Sequence, residues 1–79
     1  MSGSRIRNHI RVLRFQSGEM TQQQLADRVG VTRQTINAIE GGKYSPTLEV
    51  AFQIAAALDV ALDRVFEYDA PPAAARKRS

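Results

Sequence analysis

Between Met20 and Thr32 the chain gives one local folding instruction twice, with almost no room between the copies. In Met20-Thr21-Gln22-Gln23-Gln24-Leu25 the Thr21 hydroxyl can accept an N–H three residues on, while Gln24 reaches back to the Thr21 amide as a capping box requires. Met20 and Leu25 then staple the first turn. The helix so begun carries Leu25, Ala26 and Val29 inward and stops at Gly30, whose missing Cβ admits the left-handed conformation. Val31-Thr32 opens the next helix immediately, with Thr32 as N-cap and Val31 stapled to Ile36. Only Gly30, Val31 and the cap separate two short helices, and few folds accommodate that.

The surrounding sequence continues the helical pattern and completes a helix-turn-helix inside an all-α chain. Ile6, Ile10 and Leu13, with Val12 and Phe15 alongside, predict a first helix from about Arg5 to Gln16, ended by Gly18. The helix after Thr32 ends near Gly41-Gly42, and Pro46 keeps the following loop from becoming helix. Thr47 caps a fourth helix, in which Leu48, Ala51, Phe52, Ala55 and Leu58, widened by Ile54, predict a broad buried face. Asp59-Val60 breaks the pattern, and Leu62, Val65 and Phe66 fit one or two turns of a fifth helix. Ala61 stands where that helix would want a capping side chain. Residues 5–68 thus read as one domain, and 69–79, with small residues, Pro71-Pro72 and Arg76-Lys77-Arg78, as a disordered basic tail.

Composition narrows the class. With 79 residues and no cysteine, a disulfide framework and a thiolate metal site are both excluded, so packing of the 43% hydrophobic residues must hold the fold, helped by oligomerisation. Apolar runs such as Ile54 to Leu58 fall far short of the roughly 20 residues that span a bilayer. Met1 to Ser4 lack the apolar core of a secretory signal, and the cytoplasm is the expected compartment. Catalysis is disfavoured: His9 is the sole histidine, and no Gly-rich phosphate loop occurs. Asp59, Asp63 and Glu67, four apart, fit a solvated acidic face better than a catalytic pair. Neither a cofactor, a metal nor a small-molecule substrate is expected.

The net charge of +3 conceals a division. Met1 to Lys43 holds seven Lys/Arg against three Asp/Glu, whereas Tyr44 to Asp69 holds Arg64 against Glu49, Asp59, Asp63, Glu67 and Asp69. A basic first half suits a polyanion, and an acidic second half suits solvent or a partner protein.

Helix geometry locates the polyanion-reading face. At about 100° per residue, with Ile36 pointing inward, Thr32, Ile39 and Glu40 share its side, and Arg33, Asn37, Gly41, Gln34 and Ala38 occupy the outward arc. Arg pairs bidentately with guanine O6 and N7, and Gln or Asn with adenine N6 and N7, while Ala38 suits a thymine methyl. Phosphate contacts should flank this face. The N–H groups of the helix beginning at Gln22 supply them on one side, with the Gln22 side chain, and Lys43, Tyr44 and the capped start at Thr47 on the other. Arg5, Arg7 and Arg11 add positive charge.

The run from Thr21 to Glu40 closely resembles the Cro/cI-type helix-turn-helix, or XRE family, and the likeness extends from about Ile6 to Tyr68 through Pro46-Thr47-Leu48, Ala55 to Val60 and Val65-Phe66. The resemblance implies a compact five-helix, lambda-repressor-like DNA-binding domain acting as a dimeric transcriptional regulator on operator DNA. It implies base contacts from Arg33, Gln34, Asn37 and Ala38, and phosphate contacts from Gln22, Thr32 or Thr35, and Lys43. It also implies a structural ion pair between Arg14 and Glu40 that aims the recognition helix. Three positions depart from the family pattern: Gly18-Glu19-Met20 makes a link one residue longer than usual, Gly41 replaces an Asn or Arg, and Ala61 replaces a Ser or Thr cap.

The function expected is therefore sequence-specific binding of double-stranded DNA by a homodimer, most simply a repressor on a palindromic site read through the major groove. Leu62, Val65, Phe66 and Tyr68 are candidates either for the dimer surface or for closing the core. The alternative is a protein-interaction module, such as an antitoxin or coactivator, that keeps the fold and docks a partner on its acidic half.

Overall fold

The structure, a computed structural model, describes residues 6–69. The expectations for Arg5, for Met1 to Ser4 and for the tail beyond Asp69 lie outside the described residues. Five helices follow in order: α1 (Ile10–Gln16), α2 (Gln22–Val29), α3 (Arg33–Glu40), α4 (Leu48–Leu58) and α5 (Leu62–Val65). Two short strands, β1 (Ile6–Asn8) and β2 (Phe66–Tyr68), pair antiparallel with Ile6 opposite Tyr68, Arg7 opposite Glu67 and Asn8 opposite Phe66.

The capping chemistry operates as the sequence predicts. Thr21 Oγ1 accepts from the Gln24 amide at 3.0 Å, and Gln24 Oε1 accepts from the Thr21 amide at 2.9 Å. Gly30, at φ 88°, closes α2, with its own N–H and that of Val31 both donating to the Ala26 carbonyl. Thr32 and Thr47 accept from the amides of Thr35 and Val50. Ala61 gives α5 no side-chain cap.

The ends of the domain differ from the expected helices. Helix α1 starts at Ile10, not near Arg5, because Asn8 Oδ1 accepts the Ile10 amide at 3.1 Å and the residues before it pair with β2. Phe66 belongs to that strand and lies just beyond α5, not within it: its backbone is extended, and the preceding Val65 carbonyl accepts the His9 amide at 2.8 Å. Arg7 and His9 both face Glu67 across the ribbon, at 3.0 and 3.5 Å. These exposed pairs add little stability.

The core gathers Ile10, Leu13, Met20, Leu25, Ala26, Val29, Ile36, Ile39, Ile54, Ala55, Leu58 and Val65, and among the described residues no polar side chain is buried with them. Helix α2 sits between α3 and α4, so the helix pair is anchored on the longest helix. Helix α4 buries less than its spacing predicts. Ala51, Ile54, Ala55 and Leu58 face inward, but Leu48 is 69% and Phe52 54% exposed, because the other helices cover only one side of α4.

Candidate nucleic-acid interface

Helix α3 turns Ile36 and Ile39 into the core and leaves Arg33, Gln34 and Asn37 exposed; Ala38 is half-buried at the margin. That division follows from the 3.6-residue period. Three side chains able to donate hydrogen bonds to base edges therefore share one outward surface.

The end of α3 is fixed by contacts from three other segments. Arg14 on α1 forms a two-pronged ion pair with Glu40, Nε meeting Oε2 and Nη2 meeting Oε1 at 3.1 Å. Both side chains are nearly withdrawn from solvent, at 11% and 9% exposure, so the pair is little screened by water and salt. The remaining Arg14 nitrogen donates to the Met20 carbonyl at 2.7 Å, tying the α1–α2 link to the same guanidinium. Asn8 Nδ2 donates to the Ile39 carbonyl at 2.9 Å and also reaches that of Glu40, satisfying carbonyls that a helix end leaves open. Nothing in the local sequence signals this clamp, because Asn8 and Ile39 meet only once the ribbon has formed.

At the other end of α3, Thr32 and Thr35 share a hydrogen bond of 3.0 Å between their hydroxyls. One hydroxyl hydrogen of the pair is committed to that bond and the other remains available to an acceptor. Gln22, half-buried at the start of α2, donates to Asn37 Oδ1 and Glu40 Oε1, each at 3.2 Å. Both hydrogens of its amide nitrogen are thereby used inside the domain. The N–H groups that begin α2 ahead of the capped Gln24 amide, with the positive end of the helix dipole, suit an anion there.

Gln22, Asn37, Gly41 and Lys43 line one groove with Arg11, Arg14 and Phe15 of α1. Arg11, Arg33 and Lys43 make no ion pair among the described residues, which leaves them available to an anion. Tyr44 stands apart from that groove and lines a small recess with Ile6, Asn8 and Gly42. Gly42, at φ 75°, ends α3 and lets the Lys43 amide return to the Ala38 carbonyl.

The four dimer candidates divide. Val65 is fully buried and packs in the core, the second of the two roles expected for it. Leu62 and Phe66 are half-buried against that core, and only Tyr68 is exposed. Exposed apolar side chains also stand where the sequence pattern assigns the interior, at Leu48 and Phe52. Leu48 joins Ile6, Pro46, Leu62, Phe66 and Tyr68 along a groove whose edge carries Asp63 and Glu67. No helix among the described residues is long and apolar enough to cross a membrane.

Comparison with known proteins agrees with the helix-turn-helix fold. A family model described as helix-turn-helix matches residues 14–65. The chain is 50% identical over 50 residues to an uncharacterized HTH-type transcriptional regulator, MJ0272, of Methanocaldococcus jannaschii, covering 63% of this chain and 76% of that one. It is 42% identical over 64 residues to another such regulator from Archaeoglobus fulgidus, covering 81% and 90%. A solved Bacteroides fragilis protein, 24% identical with a TM-score of 0.71, shares the fold over 78% of this chain and 98% of its own. A hypothetical transcription factor, NHTF, from Neisseria is 31% identical with a TM-score of 0.65, over 70% of this chain and 61% of that one. With Arg33, Gln34 and Asn37 outward on a helix held by a nearly buried ion pair, and with these likenesses, the chain belongs to the XRE-type helix-turn-helix family of DNA-binding transcriptional regulators.

Proposed function

We propose that this regulator is a cytoplasmic, dimeric repressor that reads a palindromic operator through the major groove and excludes polymerase by occupying it. The observation that carries the reading is the joint exposure of Arg33, Gln34 and Asn37 on a helix whose direction is fixed by Arg14 and Glu40. In this reading Arg33, Gln34, Asn37 and Ala38 meet base edges, and the α2 N-terminus at Gln22, the Thr32–Thr35 hydroxyl pair, Lys43 and Tyr44 meet phosphates. Dimerisation is supported by apolar area left open at Leu48, Phe52 and Tyr68, with Leu62 and Phe66 beneath. Selection of bound fragments from the source genome tests the whole reading. The expected product is a site of two inverted halves, centred one helical turn of about 34 Å apart or a multiple of it.

A second reading, an interaction module that retains the fold, draws on the same groove, because Asp63 and Glu67 beside its apolar floor suit a protein partner with basic and apolar side chains. A salt series separates the two. A regulator keeps selective sites near physiological salt, whereas an adaptor binds DNA weakly and without preference.

A further inference from the structure

A chain of hydrogen bonds runs from the ion pair to the reading face, and each link fixes the orientation of the next. The Glu40 carboxylate only accepts hydrogen bonds, and Arg14 supplies two of them. Its Oε1 also receives Gln22 Nε2 at 3.2 Å. A carboxamide set against a carboxylate must turn its NH2 group toward it, so Gln22 has one allowed orientation here. The second hydrogen of that nitrogen meets Asn37 Oδ1, also at 3.2 Å. Asn37 therefore holds its carbonyl oxygen toward Gln22, with one lone pair committed there, and presents Nδ2 as its uncommitted donor from the exposed side of α3.

This changes what Asn37 recognises. The two-bond contact of an asparagine with adenine needs both ends of the amide, the nitrogen for N7 and the oxygen for the N6 hydrogens. With one of the oxygen's two lone pairs committed and the amide turned toward Gln22, the accepting half of that contact is weakened. Guanine offers two acceptors, N7 and O6, and suits an amide that only donates.

We propose that Gln22 is a specificity-positioning residue: anchored on Glu40, it biases Asn37 toward donating, so that α3 selects guanine over adenine at the base Asn37 meets. The proposal rests on α3 being the base-reading helix, and it replaces the expected role of the Gln22 side chain as a phosphate donor.

Selection from randomised DNA, followed by competition among the four bases at each position, tests it with the full chain. Asn37→Ala identifies the relevant position as the one whose preference flattens. There the wild type should favour guanine. Gln22→Met keeps the side chain's bulk but removes its amide, and should shift the guanine-to-adenine ratio about fivefold toward adenine, the effect of one net hydrogen bond. Other positions should keep their preferences, and Gln22→Met combined with Asn37→Ala should match Asn37→Ala alone. A melting curve on each variant confirms folding, and Gln22→Ala repeats the test with a smaller side chain.

An unchanged ratio in both Gln22 variants, or adenine favoured by the wild type, overturns the proposal and leaves the reading face standing. The same holds if Asn37→Ala flattens nothing while Arg33→Ala or Gln34→Ala flattens a position. If none of the three substitutions flattens any position, the reading face itself is overturned, and the proposal with it.

Discussion

Arg14 and Glu40 lie 26 positions apart and meet through two hydrogen bonds in a site almost closed to water, where the same guanidinium also holds the Met20 carbonyl. The pair joins α1, the α1–α2 link and the end of α3 at one point. Its contribution is geometric as much as energetic, because desolvation of two ions offsets much of their attraction. Removing one partner is another matter. Glu40→Ala should destabilise the domain by about 3 kcal/mol by leaving Arg14 uncompensated, which lowers the melting temperature by roughly 10–20 °C. Circular dichroism melting checks this, and a loss below about 1 kcal/mol would contradict a buried structural role.

Gln34 and Lys43 should fail differently. Gln34→Ala is expected to lose about 1–3 kcal/mol of discrimination at one base position with folding intact. Lys43→Ala should weaken all sequences alike and reduce the slope of log K against log salt by about 0.9. Titrations of operator and random DNA at several salt concentrations distinguish the two, and equal losses on both DNAs for Gln34→Ala would count against the assigned face.

Thr32 tests the capping argument. Its hydroxyl accepts the Thr35 amide at 3.1 Å, so Thr32→Ala should cost about 1 kcal/mol, with Thr32→Ser recovering most of it. Urea unfolding gives the answer as a lowered midpoint at unchanged slope.

The apolar strip on α4 predicts a separation of stability from assembly. Leu48→Glu or Phe52→Glu should abolish self-association in sedimentation experiments while the melting temperature of the monomer stays close to its original value. Val65→Ala should do the reverse, losing about 2 kcal/mol through a core cavity while the isolated apolar strip remains. An assembly state indifferent to both α4 substitutions would count against this strip as a dimer contact.

The most legible parts of the fold were those written in neighbouring residues. Thr21, Gln24, Gly30, Thr32 and Thr47 act on partners within four positions, so reading their types in order recovers α2, the turn and the starts of α3 and α4. Ile6 misleads for the opposite reason. Its spacing to Ile10 and Leu13 is helical, yet its pairing partner is Tyr68, and no local signal reports a partner at the far end of the domain. Leu48 and Phe52 show a related failure: periodicity reveals that α4 has a wide apolar face but not how much of it the other helices cover. The outward placement of Arg33, Gln34 and Asn37 follows from the helix period, and the Arg14–Glu40 pair from family resemblance. The contact from Gln22 to Asn37 follows from neither, since it depends on how α2 and α3 cross.

The ribbon also bears on how the molecule assembles. Joining Ile6 to Tyr68 closes a loop of nearly the whole domain, an entropic cost that is repaid only after most other contacts exist. Helices α2, α3 and α4 are consecutive and can condense first as a local nucleus. The paired ribbon brings Asn8 to the carbonyls of Ile39 and Glu40, so joining the first and last described segments also anchors the end of α3.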